Sequence, residues 1–179
     1  MDRPPEVITN AAITLRRRHA ADAELTFELI RESIEHLQPW MPWATPGYSL
    51  EQATEYVQRC EAEWSEGSAF QYTIYVGEHQ VGGAGLMARI GIGGLEIGYW
   101  VHPSWTGRGV ATSAASALTE AALALPGIDR VEIHHDVANK ASQRVPEKLG
   151  YELVGEVAAS PDMIAPRDSG TVKVWRISR

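Results

Sequence analysis

Gly107, Arg108 and Gly109 stand directly ahead of residues 110–125, where Ala111, Ala114, Ala115, Leu118, Ala122 and Leu125 recur at helical spacing. A turn opening into a helix in this way leaves backbone N–H groups unpaired at the positive end of the helix dipole. A pyrophosphate can sit there. Gly107 and Gly109 lack the Cβ atoms that would hold a backbone away from a phosphate, and Arg108 offers a charge-assisted contact. An ordinary strand-to-helix connection with convenient glycines has the same pattern. A dinucleotide fingerprint needs a third glycine where Thr112 stands, and no Walker lysine follows, so the turn departs from both of those motifs.

Other side chains with chemical potential lie on either side of the turn. Glu96, Gly98 and Trp100 alternate onto one face of a strand-like run. Glu96 is a candidate base acting through a water, or else an ion-paired strand glutamate. Asn139 opens a later helix and is expected to cap it, with Ser142 three residues on. Pro146 cannot donate to the carbonyl of Ser142, so a freed carbonyl or a bend is expected there. His134 and His135 point to opposite strand faces and cannot easily share a metal; nothing else has metal-ligand spacing, and no metal is expected. His135 falls with Val131, Ile133 and Val137 and is either a pocket candidate near the opening or a satisfied structural histidine.

These groups need a frame to hold them. The chain of 179 residues fits one domain, residues 1–179, with no internal repeat or linker. Residues 12–17 read as a first strand, and Asp22 as the N-cap of a helix reaching Leu37 with Phe27, Ile30, Ile34 and Leu37 as its apolar stripe. Prolines 39, 42 and 46 break the pattern, and in this stretch Trp40, Trp43 and Tyr48 are candidates to line an acceptor pocket. A second helix is expected over 50–64, with Cys60 a core residue beside Ala53, Val57 and Trp64. Strands follow at 70–76, 81–88 and 95–101, then the turn and its helix. A strand at 130–137, a helix at 139–149 and strands at 151–157 and 171–177 complete a mixed sheet with helices on its faces, an α/β fold.

Composition narrows the field. An excess of 23 acidic over 16 basic residues argues against direct nucleic-acid binding. A lone cysteine excludes an internal disulfide framework. The first residues lack the apolar stretch of a signal peptide and no apolar run has membrane-spanning length, so a cytoplasmic protein that does not engage a membrane is expected.

Taken in order, the strand ending at Val101, the turn Gly107-Arg-Gly-Val-Ala-Thr112, and Asn139 with Ser142 ahead of Glu147-Lys-Leu-Gly-Tyr151 resemble the GNAT superfamily of acyl-CoA N-acyltransferases. Within it they resemble the branch of RimJ/RimL-type ribosomal-protein N-terminal acetyltransferases, as does the segment from His36 to Ala44. The resemblance implies a mostly antiparallel sheet of six to seven strands splayed at its centre. It implies acetyl-CoA in the opening, its pyrophosphate on backbone N–H groups of Thr106, Gly107, Arg108, Gly109, Val110 and Ala111, with Thr112 beside them. The pantetheine arm would pair with the edge at Trp100 and Val101, Asn139 would contact it, and Glu96 and Ser142 would be the catalytic candidates. Two departures stand out: Thr106 where the family has Gln or Arg, and Pro146 where many members place a tyrosine.

The expected activity is acetyl transfer to a primary amine, borne by a protein N-terminus or by a small metabolite or antibiotic, with a homodimer left open. A non-catalytic acyl-CoA-binding regulatory module is the competing reading. Another acyl donor, such as succinyl-CoA, would ask for a cation near the pocket, and the sequence places none.

Overall fold

Alternation of apolar with small or polar residues sets the strands on edge between two layers. In the computed structural model, which describes residues 2–161 and 164–179, eight strands form one sheet in the order β1-β2-β3-β4-β5-β6-β8-β7. They are β1 (Val7–Thr9), β2 (Thr14–Arg17), β3 (Ala69–Val76), β4 (His79–Met87), β5 (Gly94–Val101), β6 (Arg130–Asp136), β7 (Glu152–Ala158) and β8 (Thr171–Ser178). The helices are α1 (Ala23–Leu37), α2 (Leu50–Glu66), α3 (Val110–Ala124) and α4 (Lys140–Lys148). Neighbouring strands are antiparallel except β5 and β6, which run parallel.

One sheet face is apolar. Phe70, Tyr72, Ile74, Leu86, Leu95 and Ile97 join one core with Ala114, Ala115, Leu118 and Ala122 of α3. Alanines let that helix lie close, which brings its N-terminus to the end of β5. The other face has a glycine floor. Thr73, Gly83 and Trp100 are cross-strand neighbours, as are Gln71, Gly85 and Gly98. A Cβ at Gly83 would meet the Trp100 indole nitrogen at 2.8 Å, and one at Gly85 would meet Gln71 Oε1 at 2.2 Å. The missing side chains make room for these long ones.

The expected strand at 12–17 is shorter, and β1 ahead of it is an eighth strand that the sequence reading missed. Three residues between Pro5 and Asn10 carry too little alternation to register; pairing with β2 defines them. The α1 stripe is also rotated from expectation. Leu29, Ile30, Ser33 and Leu37 are buried, whereas Phe27 and Ile34 are half-buried and Phe27 stacks on Tyr48. On α2, Ala53, Val57, Cys60 and Trp64 are buried as expected. A Ser49–Gln52 capping box opens this helix, and Gly67 in the left-handed region (φ 78°) closes it.

The turn from β6 into α4 hangs on Asp136. Its carboxylate accepts from the backbone N–H groups of Ala138, Ser169 and Gly170 and from the Ser169 hydroxyl. Burial pushes this acid up, but the four donors outweigh it and hold it below the ordinary carboxylate range. A depressed folded pKa stabilises the fold above the unfolded pKa of about 4, and that contribution is lost as pH falls through the folded value. We expect Asp136→Asn to cost about 1–3 kcal/mol at pH 7. In denaturant unfolding the gap from wild type should narrow below about pH 4; a gap independent of pH would contradict this role.

Candidate active site

The sheet comes apart at its centre. Residues 94–97 of β5 pair with residues 130–133 of β6, and there the pairing stops. Beyond Ile97, β5 stays with β4 as far as Val101, while β6 stays with β8 as far as Asp136. The edge of residues 98–101 therefore faces a fork with its backbone groups free of β6. An extended ligand can add to such an edge as a strand would. Trp100 and Val101 lie at its open end.

The glycine turn stands past that end. Gly107 (φ 73°) and Gly109 (φ 79°) take left-handed conformations that other residues rarely adopt. Nothing lies within 4 Å of a Cβ built on either, so the space above them is an open cradle. Gly109 is the N-cap of α3 and no side chain caps it. The early N–H groups of that helix, around Val110, Ala111 and Thr112, thus have no side-chain acceptor. Buried Val110 anchors the helix start. Arg108 is exposed, its guanidinium 4.9 Å from the Trp105 ring centroid, and the Thr106 hydroxyl donates to the Pro103 carbonyl.

Across the fork, Asn139 caps α4 by accepting from the Ser142 N–H at 3.0 Å. Pro146 sits inside the helix and leaves the Ser142 carbonyl without its usual donor. Tyr99 of β5 lies within hydrogen-bond range of both Ser142 oxygens, 3.2 Å from the carbonyl and 3.0 Å from Oγ. Burial raises this phenol to about 12, so at neutral pH it stays protonated and donates. Tyr99 is the residue that the sequence reading missed. Its alternation with Ile97 and Val101 marks it as core, and only the orphaned carbonyl hints at a partner.

On the glycine-floored face the expected residues divide. Glu96 is buried and gripped through both oxygens by Arg89. His134 Nδ1 lies 3.5 Å from it, and the other His134 nitrogen lies 2.7 Å from Glu132. Arg176 donates twice to Glu132. Burial pushes Glu132 up, while His134 and Arg176 more than reverse this and leave it below the ordinary range.

Trp43, Tyr48 and Trp100 come together edge-on, ring centroids 6.2–6.4 Å apart. Trp40 is half-buried and pairs with no ring among the described residues. His135 lies apart from them. Its Nε2 accepts from the Trp175 indole and its Nδ1 meets the Asp136 carbonyl, so both nitrogens are engaged inside the protein. Burial lowers its pKa and keeps it neutral. Alternation turns it to the apolar face beside Trp175, where its contacts are those of a satisfied structural histidine, one of the two readings its sequence position allows. Among the described residues no group of His, Cys, Asp and Glu could hold a metal, and no helix is long and apolar enough to cross a membrane.

Known proteins share this fold. The family model described as the acetyltransferase (GNAT) domain matches residues 12–152. A Bacillus subtilis (strain 168) protein, "Putative ribosomal N-acetyltransferase YdaF", is 30% identical over 149 residues, which is 79% of each chain. Among solved structures, the ribosomal L7/L12 α-N-protein acetyltransferase RimL in complex with coenzyme A superposes with a TM-score of 0.87. It is 23% identical, over 97% of this chain and 98% of that one. The microcin C7 self-immunity acetyltransferase MccE, bound to acetyl-CoA and AMP, gives 0.86 at 20% identity, over 95% and 94%. With its central fork, its open glycine cradle and a family match over most of its length, the chain belongs to the GNAT acetyltransferase family.

Proposed function

We propose that this protein moves an acetyl group from acetyl-CoA to a primary amine, with a protein N-terminal α-amine as the acceptor. The fork between β5 and β6, with the uncapped glycine turn at its open end, carries this reading. The open space over Gly107 and Gly109 suits a diphosphate, and the free edge at residues 98–101 suits an amide-bearing arm. The relatives described as ribosomal-protein acetyltransferases support the choice of acceptor.

When bound, acetyl-CoA supplies an acyl carbon activated as a thioester. The amine nitrogen bonds to that carbon as its bond to sulfur breaks, leaving an amide and a thiol. Backbone N–H groups of residues 99–101 stabilise the carbonyl oxygen as charge builds on it. Ser142 Oγ, supported by the Tyr99 hydroxyl, meets the departing sulfur. Tyr99 thereby supplies from the strand the phenol that Pro146 denies to the helix. This pair favours a catalyst over a non-catalytic binding module. Glu96 takes up the amine proton through a water, and His134, with a quarter of its side chain exposed, leads from it toward solvent.

Three outcomes test this. Gly109→Val places a β-branched residue at positive φ and fills the cradle, so acetyl-CoA affinity should fall by roughly tenfold or more in calorimetry; unchanged affinity would place the cofactor elsewhere. Tyr99→Phe should lower kcat by roughly ten- to a hundredfold with little change in KM for acetyl-CoA; an unaltered kcat would remove the Tyr99–Ser142 pair from the chemistry. Glu96→Gln should depress turnover of peptide N-termini and small amines by roughly a hundredfold, most at low pH where the amine is hardest to deprotonate. Equal rates across the pH range would reject Glu96 as base.

A further inference from the structure

Arg18, just beyond β2, is among the most deeply buried side chains, at 1% exposure. Its Nε and Nη2 both lie 3.2 Å from the Thr73 hydroxyl, a neutral acceptor. Its guanidinium carbon lies 5.2 Å from the Tyr56 ring centroid. No carboxylate pairs with it among the described residues, although Arg17, Arg59, Arg89, Arg130 and Arg176 each have one. Its Nη1 is enclosed and has no hydrogen-bond partner. A buried charge answered only by a hydroxyl and a π-face leaves its loss of hydration largely uncompensated.

The surroundings say where a counter-ion would come from. Arg18 Nη2 and the Trp100 indole nitrogen lie 3.2 Å and 2.8 Å from the point where a Cβ on Gly83 would sit, so the two groups meet over the glycine floor. Trp100 also carries the free edge of the fork and packs against Trp43, which packs against Tyr48. Burial raises the phenols of Tyr48 and Tyr56, and the Arg18 charge opposes it at both. Trp43, on the proline-broken segment 38–49, is 42% exposed and is the most exposed of the Trp43, Tyr48 and Trp100 rings.

We propose that Arg18 anchors a carboxylate subsite in the floor of the acceptor pocket, reached by displacing the Trp43 ring, with Nη1 as the free donor. Guanidinium suits a carboxylate in direction and charge. The carboxylate arrives on the acceptor, as an acidic side chain near its amine, or on the donor, as the distal group of a dicarboxylic acyl chain such as succinyl. The inference rests on the acyltransferase reading and supplies the cation that the sequence alone did not place.

Two arms separate the sources. In the first, acetyl-CoA and succinyl-CoA are compared with one amine panel; in the second, acetyl-CoA is used with peptide pairs differing only by Glu or Gln next to the N-terminal residue. Binding of each probe is measured by calorimetry beside turnover. One arm should favour its carboxylate member by roughly ten- to a hundredfold in kcat/KM and in Kd. Arg18→Met should erase that preference and Arg18→Lys should restore part of it, with thermal unfolding as the check on folding. The wild-type ratios stand even if neither variant folds. Turnover without a carboxylate preference in either arm, or a preference that survives Arg18→Met, overturns the subsite and leaves the acyltransferase reading intact. Absence of turnover with every amine would overturn that reading instead, and the calorimetric ratios would still decide the subsite.

Discussion

Everything in this molecule is arranged around a parallel strand pair that stops halfway. Four residue pairs join β5 to β6, and beyond them each strand is held by its outer neighbour alone. Leaving half an edge unpaired inside a sheet sacrifices backbone hydrogen bonds that a closed sheet would keep. The fold tolerates this because β4 and β8 hold the diverging arms, and because Tyr99 reaches across to the Ser142 oxygens to tie the far side of the gap. An opening held this way is a fixed feature of the sheet. It needs no motion to form.

The two faces then take different tasks. Alanines of α3 draw its N-terminus against the end of β5, so an unsatisfied helix start and an unsatisfied strand edge become continuous. A ligand offering an anion followed by an amide-bearing chain fits that continuity. The opposite face gives up side-chain volume at Gly83, Gly85 and Gly98, and Arg18, Gln71 and Trp100 occupy the space.

Much of this was legible in the residues. The turn around Gly107 and Gly109, the helix after it, the Asn139 cap and the carbonyl released by Pro146 all follow from local rules about positive φ, capping and proline. These rules act over a few residues, so spacing exposes them. Residues joined by register or by long reach were illegible. Tyr99 belongs to the core by alternation and reaches Ser142 only because the sheet forks. Arg18 looks like one of three consecutive surface arginines until Thr73 and Gly83 are seen beneath it. For His135 alternation indicated the face and left a pocket or a structural role open, because its partner Trp175 lies forty residues along, beyond what spacing exposes. The expected α1 stripe is buried at Ile30 and Leu37 but not at Phe27, which packs on Tyr48 of the proline-broken segment and stays half-buried.

The most direct test of the account is a crystal structure of the protein with coenzyme A. The account predicts the pantetheine arm hydrogen-bonded along residues 98–101, the diphosphate against the amides that follow Trp105, and the thiol within reach of Ser142 Oγ. A structure with β5 and β6 paired to their ends and the ligand bound at another surface would contradict it.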